Sequence, residues 1–244
     1  MKTIFWIGDS TCQQNSIATY PQTGIAQMFD RYVKRCEVVI SNHALNGRST
    51  RSFLDEGRFE CVREAMREGD YLFIQFGHND EKQEDATRYC APDGAYADNL
   101  ALFIRAAREK GAKPVLITPL CRRLFPGNTE AYRHTLYAAS CRRVAERMDV
   151  PCIDLTAMSE QAVASAGESS KAYYMNLPAG MYANYPDGQT DNTHLQPLGA
   201  MVFGGLIARA LLELGGEYAQ LIEEEAAVSM RTGSVVDAAA ARER

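Results

Sequence analysis

Short, largely apolar runs alternate along the chain with longer segments whose apolar positions recur every three or four residues. The runs TIFWIG (3–8), CEVVISNHA (36–44), YLFIQFG (71–77), KPVLITPL (113–120) and PCIDL (151–155) read as strands. Between them, Ile25, Met28, Phe29 and Tyr32 fall at helical spacing within 24–33, and Phe59, Val62 and Met66 share one face of a helix over 51–67. Tyr96, Leu100, Phe103, Ile104 and Ala107 form a stripe in 96–110, and Tyr137, Cys141, Val144 and Met148 another in 130–148. PLGAMVFGGLIARALLEL (197–214) is the last strong helix. Strands that are apolar throughout, rather than at alternate positions, are buried on both faces. Five of them separated by amphipathic helices predict a parallel sheet covered by helices on both sides. Residues 1–214 read as one domain, and the Ala/Glu-rich stretch 215–244 as a further helix or a tail.

In such a sheet, ligands bind beyond the carboxyl ends of the strands. The polar residues that follow the strands therefore carry the interest. Asp9, Ser10 and Thr11 follow the first; Asn42, His43, Asn46, Gly47, Arg48 and Ser49 follow the second; His78, Asn79 and Asp80 follow the third. Asp191, Asn192, Thr193 and His194 precede the last helix. Ester hydrolysis by a serine needs a hydroxyl nucleophile, an imidazole to take its proton, a carboxylate to orient the imidazole, and donors for the oxyanion. Ser10, His194 and Asp191 can supply the first three. The backbone N–H groups of Ser10 and Gly47 and the Asn79 amide can supply the last, and a glycine at 47 lets the backbone come close to a ligand. Each piece alone reads as a turn or a helix cap. The weight lies in four stretches meeting in order on one rim. The segment 171–193 is long and aperiodic, with a turn at YPDG, and Tyr173, Tyr174, Tyr182 and Tyr185 within it are candidates for stacking on sugar rings or for anchoring the loop.

Composition narrows the field. Hydrophobic residues make up 46% and charged residues 23%, with a net charge of −5. No global basic footprint for nucleic acid exists, and an anionic substrate would require a local cluster of arginines. The seven cysteines are scattered with no CxxC pair, which argues against structural zinc and for reduced thiols. The N-terminal apolar stretch is short and broken by Gly8 and Asp9, unlike a signal peptide, and no continuous apolar run approaches a membrane span of about 20 residues. A cytoplasmic location is the expectation. G-x-S-x-G, P-loop and G-x-G-x-x-G motifs are absent. A metal site from Asp191, His194 and Asp80 is a weaker alternative.

The blocks GDS at 8–10, NHALNGRST with its Gly47, GHND at 77–80 and DNTH at 191–194 resemble the four blocks of the SGNH, or GDSL-type, hydrolases. The resemblance spans residues 4 to about 213. The stretches GDST, ALNGRSTRSF, FGHND and NYPDGQTDNTHLQPLGA look like the rhamnogalacturonan acetylesterase branch. It implies a flavodoxin-like three-layer α/β/α sandwich with a five-stranded parallel sheet. It also implies catalytic Ser10, Asp191 and His194, an oxyanion hole of Ser10, Gly47 and Asn79, and neither metal nor organic cofactor. Where relatives carry a tryptophan, Ile25 and Ala26 stand here.

The implied activity is removal of O-acetyl groups from carbohydrate, with pectin-derived rhamnogalacturonan oligosaccharides as substrate. Galacturonate is anionic, and Arg48 and Arg51 can pair with its carboxylate or else with nearby Asp and Glu. Asp9 is expected to hold the turn presenting Ser10, and His78 to support the site or touch substrate. The alternatives are another SGNH specificity (short-chain lipase, thioesterase or deacetylase of another glycan) and a non-catalytic carbohydrate-binding protein. The expected partner is a small acetylated oligosaccharide, with no nucleic acid or membrane and with a homo-oligomer left open.

Overall fold

The computed structural model describes residues 1–124 and 129–228. Five strands, β1 (Lys2–Gly8), β2 (Val38–Asn42), β3 (Tyr71–Gln75), β4 (Lys113–Ile117) and β5 (Cys152–Ile153), form one sheet in the order β2-β1-β3-β4-β5. Every pairing is parallel, with Ile4 opposite Tyr71 and Ile40, and Leu116 opposite Cys152. The alternation of side chains along β1 divides the interior. Ile4 and Trp6 enter one apolar layer, Phe5 and Ile7 the other. Each fully buried side chain of this size contributes about 1.5–3 kcal/mol.

The helices follow in chain order: α1 (Ile25–Met28), α2 (Thr50–Asp55), α3 (Arg58–Ala65), α4 (Ala97–Glu109), α5 (Thr129–Met148), α6 (Leu155–Ala166) and α7 (Pro197–Leu214). Residues of α2 to α5 cover the Phe5 face, and those of α1, α6 and α7 the Trp6 face. This is the expected three-layer α/β/α sandwich. The helix expected over 51–67 is two helices, because Gly57 takes φ +67°, a left-handed conformation that ends a right-handed helix. The helix expected over 24–33 shortens to α1 plus a 3₁₀ turn at Phe29–Arg31. Helix α6 was not foreseen; it is capped by Asp154, whose carboxylate accepts the N–H of Ala157 at 3.3 Å.

By length and composition α7 is apolar enough to cross a membrane; here Phe203, Ile207 and Leu211 are fully buried in the core. Beyond it, α8 (Gly216–Ala219) and α9 (Glu224–Val228) fold back, with Leu221, Ile222 and Ala227 buried and Ile222 bridged to Val33. The rest of the expected C-terminal helix or tail lies outside the described residues. None of the seven cysteines is in a disulfide.

Candidate active site

Strand β1 lies between β2 and β3, so the chain leaving it is flanked by the segments that leave both neighbours. That is the switch point of the sheet, where loops diverge and leave a crevice. After Gly8 the chain turns on Asp9. Its Oδ1 accepts the Thr11 N–H at 2.9 Å and the Thr11 hydroxyl at 2.8 Å, and its carbonyl accepts the Cys12 N–H at 3.1 Å. Its Oδ2 lies 3.3 Å from His78 Nδ1. Burial pushes the Asp9 carboxyl upward, but His78 and the two Thr11 donors outweigh it and leave Asp9 below its ordinary value. Burial takes His78 the other way, below the usual imidazole range, so its Nδ1–H donates to an ionised Asp9. The turn exposes 8% of Ser10 at the rim. Two residues on, Cys12 is fully buried, and burial and the Asp9 charge raise its thiol well above the usual value. A neutral, enclosed thiol is a poor nucleophile.

Ser10 Oγ lies 3.0 Å from His194 Nε2, and His194 Nδ1 lies 2.6 Å from Asp191 Oδ2. The other Asp191 oxygen accepts the N–H groups of Thr193 at 2.8 Å and His194 at 3.0 Å. The DNTH stretch thus forms a tight turn around its own carboxylate, which fixes the imidazole from backbone and ring together. Burial raises the Asp191 carboxyl, but the His194 ring and these N–H groups prevail and set it at about 2. It is ionised at neutral pH and accepts from Nδ1, which leaves Nε2 free to accept from the Ser10 hydroxyl.

The other candidates sit on the neighbouring strand ends. Gly47 takes φ +76°, which favours glycine at this turn. Among the described residues, neither the Gly47 N–H nor the Ser10 N–H donates to a protein acceptor. Asn79 is buried; its Nδ2 donates one hydrogen to the Arg48 carbonyl at 3.1 Å and keeps the second unclaimed. Asp80 ties the same two segments together, because its Oδ1 accepts the Thr50 N–H at 3.0 Å and the Thr50 hydroxyl at 2.5 Å. The α2 N-terminus just after Gly47 is thus clamped to the Asn79 segment. It is further closed by a reciprocal cap, Ser49 with Ser52.

Arg48 and Arg51 have partners of their own. Arg48 pairs with Glu56 at 3.0 Å and donates to the Asn46 carbonyl, and Arg51 donates to the Ala86 carbonyl at 3.1 Å. His78 is buried behind Asp9, its ring centroid 4.6 Å from that of His134. His43 is held by Ser41 at 2.9 Å. Tyr174 is buried and bonds the Cys121 carbonyl, whereas Tyr182 meets Tyr20 edge-on and Tyr185 donates to the Thr19 carbonyl, so the loop tip rests on the segment leaving Ser10.

Sequence reasoning missed a charged group after GHND. Glu81 pairs with Arg122 and faces His134, and Arg88 Nη1 lies 3.4 Å from the Asn79 side-chain oxygen Oδ1. The run DEKQEDATR at 80–88 was the available signal; its residues read as a solvated loop unless their distance from Asn79 is known.

Fold and site together define the layout of an ester hydrolase on a parallel α/β/α sheet. The chain belongs to the GDSL-like lipase/acylhydrolase family, whose model matches residues 6–202. It is 40% identical over 215 residues to the rhamnogalacturonan acetylesterase RhgT of Bacillus subtilis, covering 87% of this chain and 90% of that one. It is 26% identical over 234 residues to the rhamnogalacturonan acetylesterase of Emericella nidulans, covering 86% and 85%. The crystal structure of protein YxiM of Bacillus subtilis superposes with a TM-score of 0.71 at 25% identity, over 88% of this chain and 57% of that one.

Proposed function

We propose that the protein is a carbohydrate O-acetylesterase that removes acetyl groups from rhamnogalacturonan-derived oligosaccharides with Ser10 as nucleophile. The observation that carries this reading is the unbroken chain Ser10 Oγ, His194, Asp191, with links of 3.0 and 2.6 Å on the rim of the sheet. The names of the relatives supply the substrate class.

In the proposed reaction His194 Nε2 takes the Ser10 proton as Oγ attacks the acetyl carbonyl. Asp191 keeps the ring in the required tautomer and balances the imidazolium. The N–H groups of Ser10 and Gly47 and the second Asn79 hydrogen receive the oxyanion. The intermediate collapses, and the His194 imidazolium passes the proton to the departing sugar oxygen, which leaves as a hydroxyl and leaves an acetyl-serine. Water, deprotonated by the same imidazole, attacks this ester; acetate leaves and Ser10 recovers its proton. No cofactor enters the sequence.

Acetate release from acetylated rhamnogalacturonan oligosaccharides tests the proposal, with Ser10→Ala expected to lose on the order of 10⁶-fold in kcat. A series of acyl esters accompanies it. Activity that rises with acyl length would contradict a deacetylase and point to a lipase or thioesterase.

A further inference from the structure

We propose that Arg48 is a positioning residue for the oxyanion hole: its guanidinium, held by Glu56, locks the Asn46–Gly47 peptide in the orientation that offers the Gly47 N–H to the developing oxyanion. This rests on the esterase reading above, and it gives Arg48 a part in the reaction other than binding a uronate carboxylate.

Residues Leu45 to Arg48 form a β-turn, closed by the Arg48 N–H on the Leu45 carbonyl at 3.3 Å. Gly47 in the third position takes φ +76°, whereas Asn46 in the second is not at positive φ, which makes the turn type II. Types I and II differ chiefly by a half-turn of the middle peptide, here Asn46–Gly47. Glycine accepts both signs of φ about equally, so the backbone of Gly47 leaves both orientations open. A flip would aim the Gly47 N–H to the opposite side and put the Asn46 carbonyl oxygen where the donor had been.

The contacts around the turn select between the two. The Leu45 N–H donates to the Gly8 carbonyl at 3.1 Å and the Asn46 N–H to Gln13 Oε1, which ties the entry of the turn to the segment carrying Ser10. Neither bond holds the middle peptide. Arg48 does so, because its Nη1 donates to the Asn46 carbonyl at 2.9 Å. A trans peptide is planar, with carbonyl and N–H on opposite edges, so fixing the carbonyl aims the Gly47 N–H the other way. There it meets no protein acceptor among the described residues. The guanidinium is itself anchored, as Nε and Nη2 both lie 3.0 Å from Oε2 of Glu56, at the C-terminal end of α2. The Nε–Nη2 edge is thus taken by Glu56 and is not open to a substrate carboxylate. The Arg48 backbone acts on a second donor, since its carbonyl accepts one Asn79 Nδ2 hydrogen at 3.1 Å. One residue therefore orients two of the three proposed donors, Gly47 through its side chain and Asn79 through its main chain.

The test measures acetate release from p-nitrophenyl acetate, which is neutral and carries no sugar, and from an acetylated galacturonate-containing oligosaccharide. The proteins are the wild type, Arg48→Gln, Glu56→Gln and Arg58→Gln; Arg58 shares Glu56 with Arg48 but makes no contact with the turn. Loss of an oxyanion donor costs about 10²–10³-fold, so Arg48→Gln, with its peptide released, should lose about tenfold or more in kcat on both substrates while KM stays within about twofold. Glu56→Gln should lose severalfold in the same sense, and Arg58→Gln should match the wild type. A loss confined to KM on the charged oligosaccharide would overturn the proposal, since it assigns Arg48 to the substrate carboxylate. So would an unchanged kcat in Arg48→Gln with a wild-type thermal melt, or an equal loss in Arg58→Gln. Where Arg48→Gln does not fold, Glu56→Gln decides, and wild-type kcat in that variant would overturn the proposal. No acetate from either substrate with the wild type would overturn the esterase reading and the positioning role with it.

Discussion

Asp80 is a carboxyl group that the fold holds against its chemistry. It is fully buried; Oδ1 binds both Thr50 donors, while Oδ2 has no partner among the described residues. Burial lifts it from 3.8 to about 7, with the Asp9 charge adding to the rise and the Thr50 donors opposing it. The folded protein therefore keeps a proton that the unfolded chain has already released over the interval from about pH 4 to about pH 7. Stability falls as pH rises through that interval, by at most about 1.4 kcal/mol per unit and about 4 kcal/mol in all. Asp80→Asn retains an oxygen for Thr50 and cannot ionise. Urea unfolding of the two proteins at pH 4 and pH 8 is the assay. The variant should match the wild type near pH 4 and gain on it by about 4 kcal/mol at pH 8. Asp80→Ala, which strips Thr50 of its acceptor, should gain much less. Parallel pH profiles for wild type and Asp80→Asn would refute the claim that this carboxyl is destabilised by burial.

Two further substitutions probe the site. Asp191→Asn should reduce kcat by about 10⁴-fold, as an amide no longer enforces the Nδ1–H tautomer; because Asp191 sits at about 2 against 3.8 unfolded, the wild type should also lose about 2 kcal/mol of stability as pH falls from about 4 through 2, a loss absent from the variant in acid titrations followed by circular dichroism. Asn79→Ala should lower kcat by about 10²–10³-fold with little change in KM in steady-state kinetics, since its second amide hydrogen is assigned to the oxyanion alone.

The sheet was legible because its inner strands are buried on both faces and read as apolar runs, as in YLFIQ of β3, where every residue is buried. Helix α6 escaped notice because its Ala- and Ser-rich sequence makes a faint stripe and its clearest mark is the single cap Asp154. The break between α2 and α3 was written in Gly57, but a lone glycine inside a helical pattern is common enough to be passed over. Strand ends marked Ser10, Gly47 and Asn79 as neighbours, since a parallel sheet brings such residues to one rim whatever the loops do. Partner choice among arginines was not legible. Glu56, eight residues from Arg48, claims it across the α2 turn, while Arg88 reaches Asn79 from a loop whose path no periodicity reveals. Asp80 was singled out beside Asn79, but its burial depends on Thr50 and Tyr137 closing over it from distant positions.

On this account Ser10, and not Cys12 two residues further on, is the nucleophile of an ester-cleaving site. Reaction with a serine-directed fluorophosphonate followed by peptide mass spectrometry tests it directly. One label per chain on Ser10, abolished by Ser10→Ala and strongly slowed by Asp191→Asn, is the predicted result. A label on another residue, or none on a protein that still releases acetate, would contradict it.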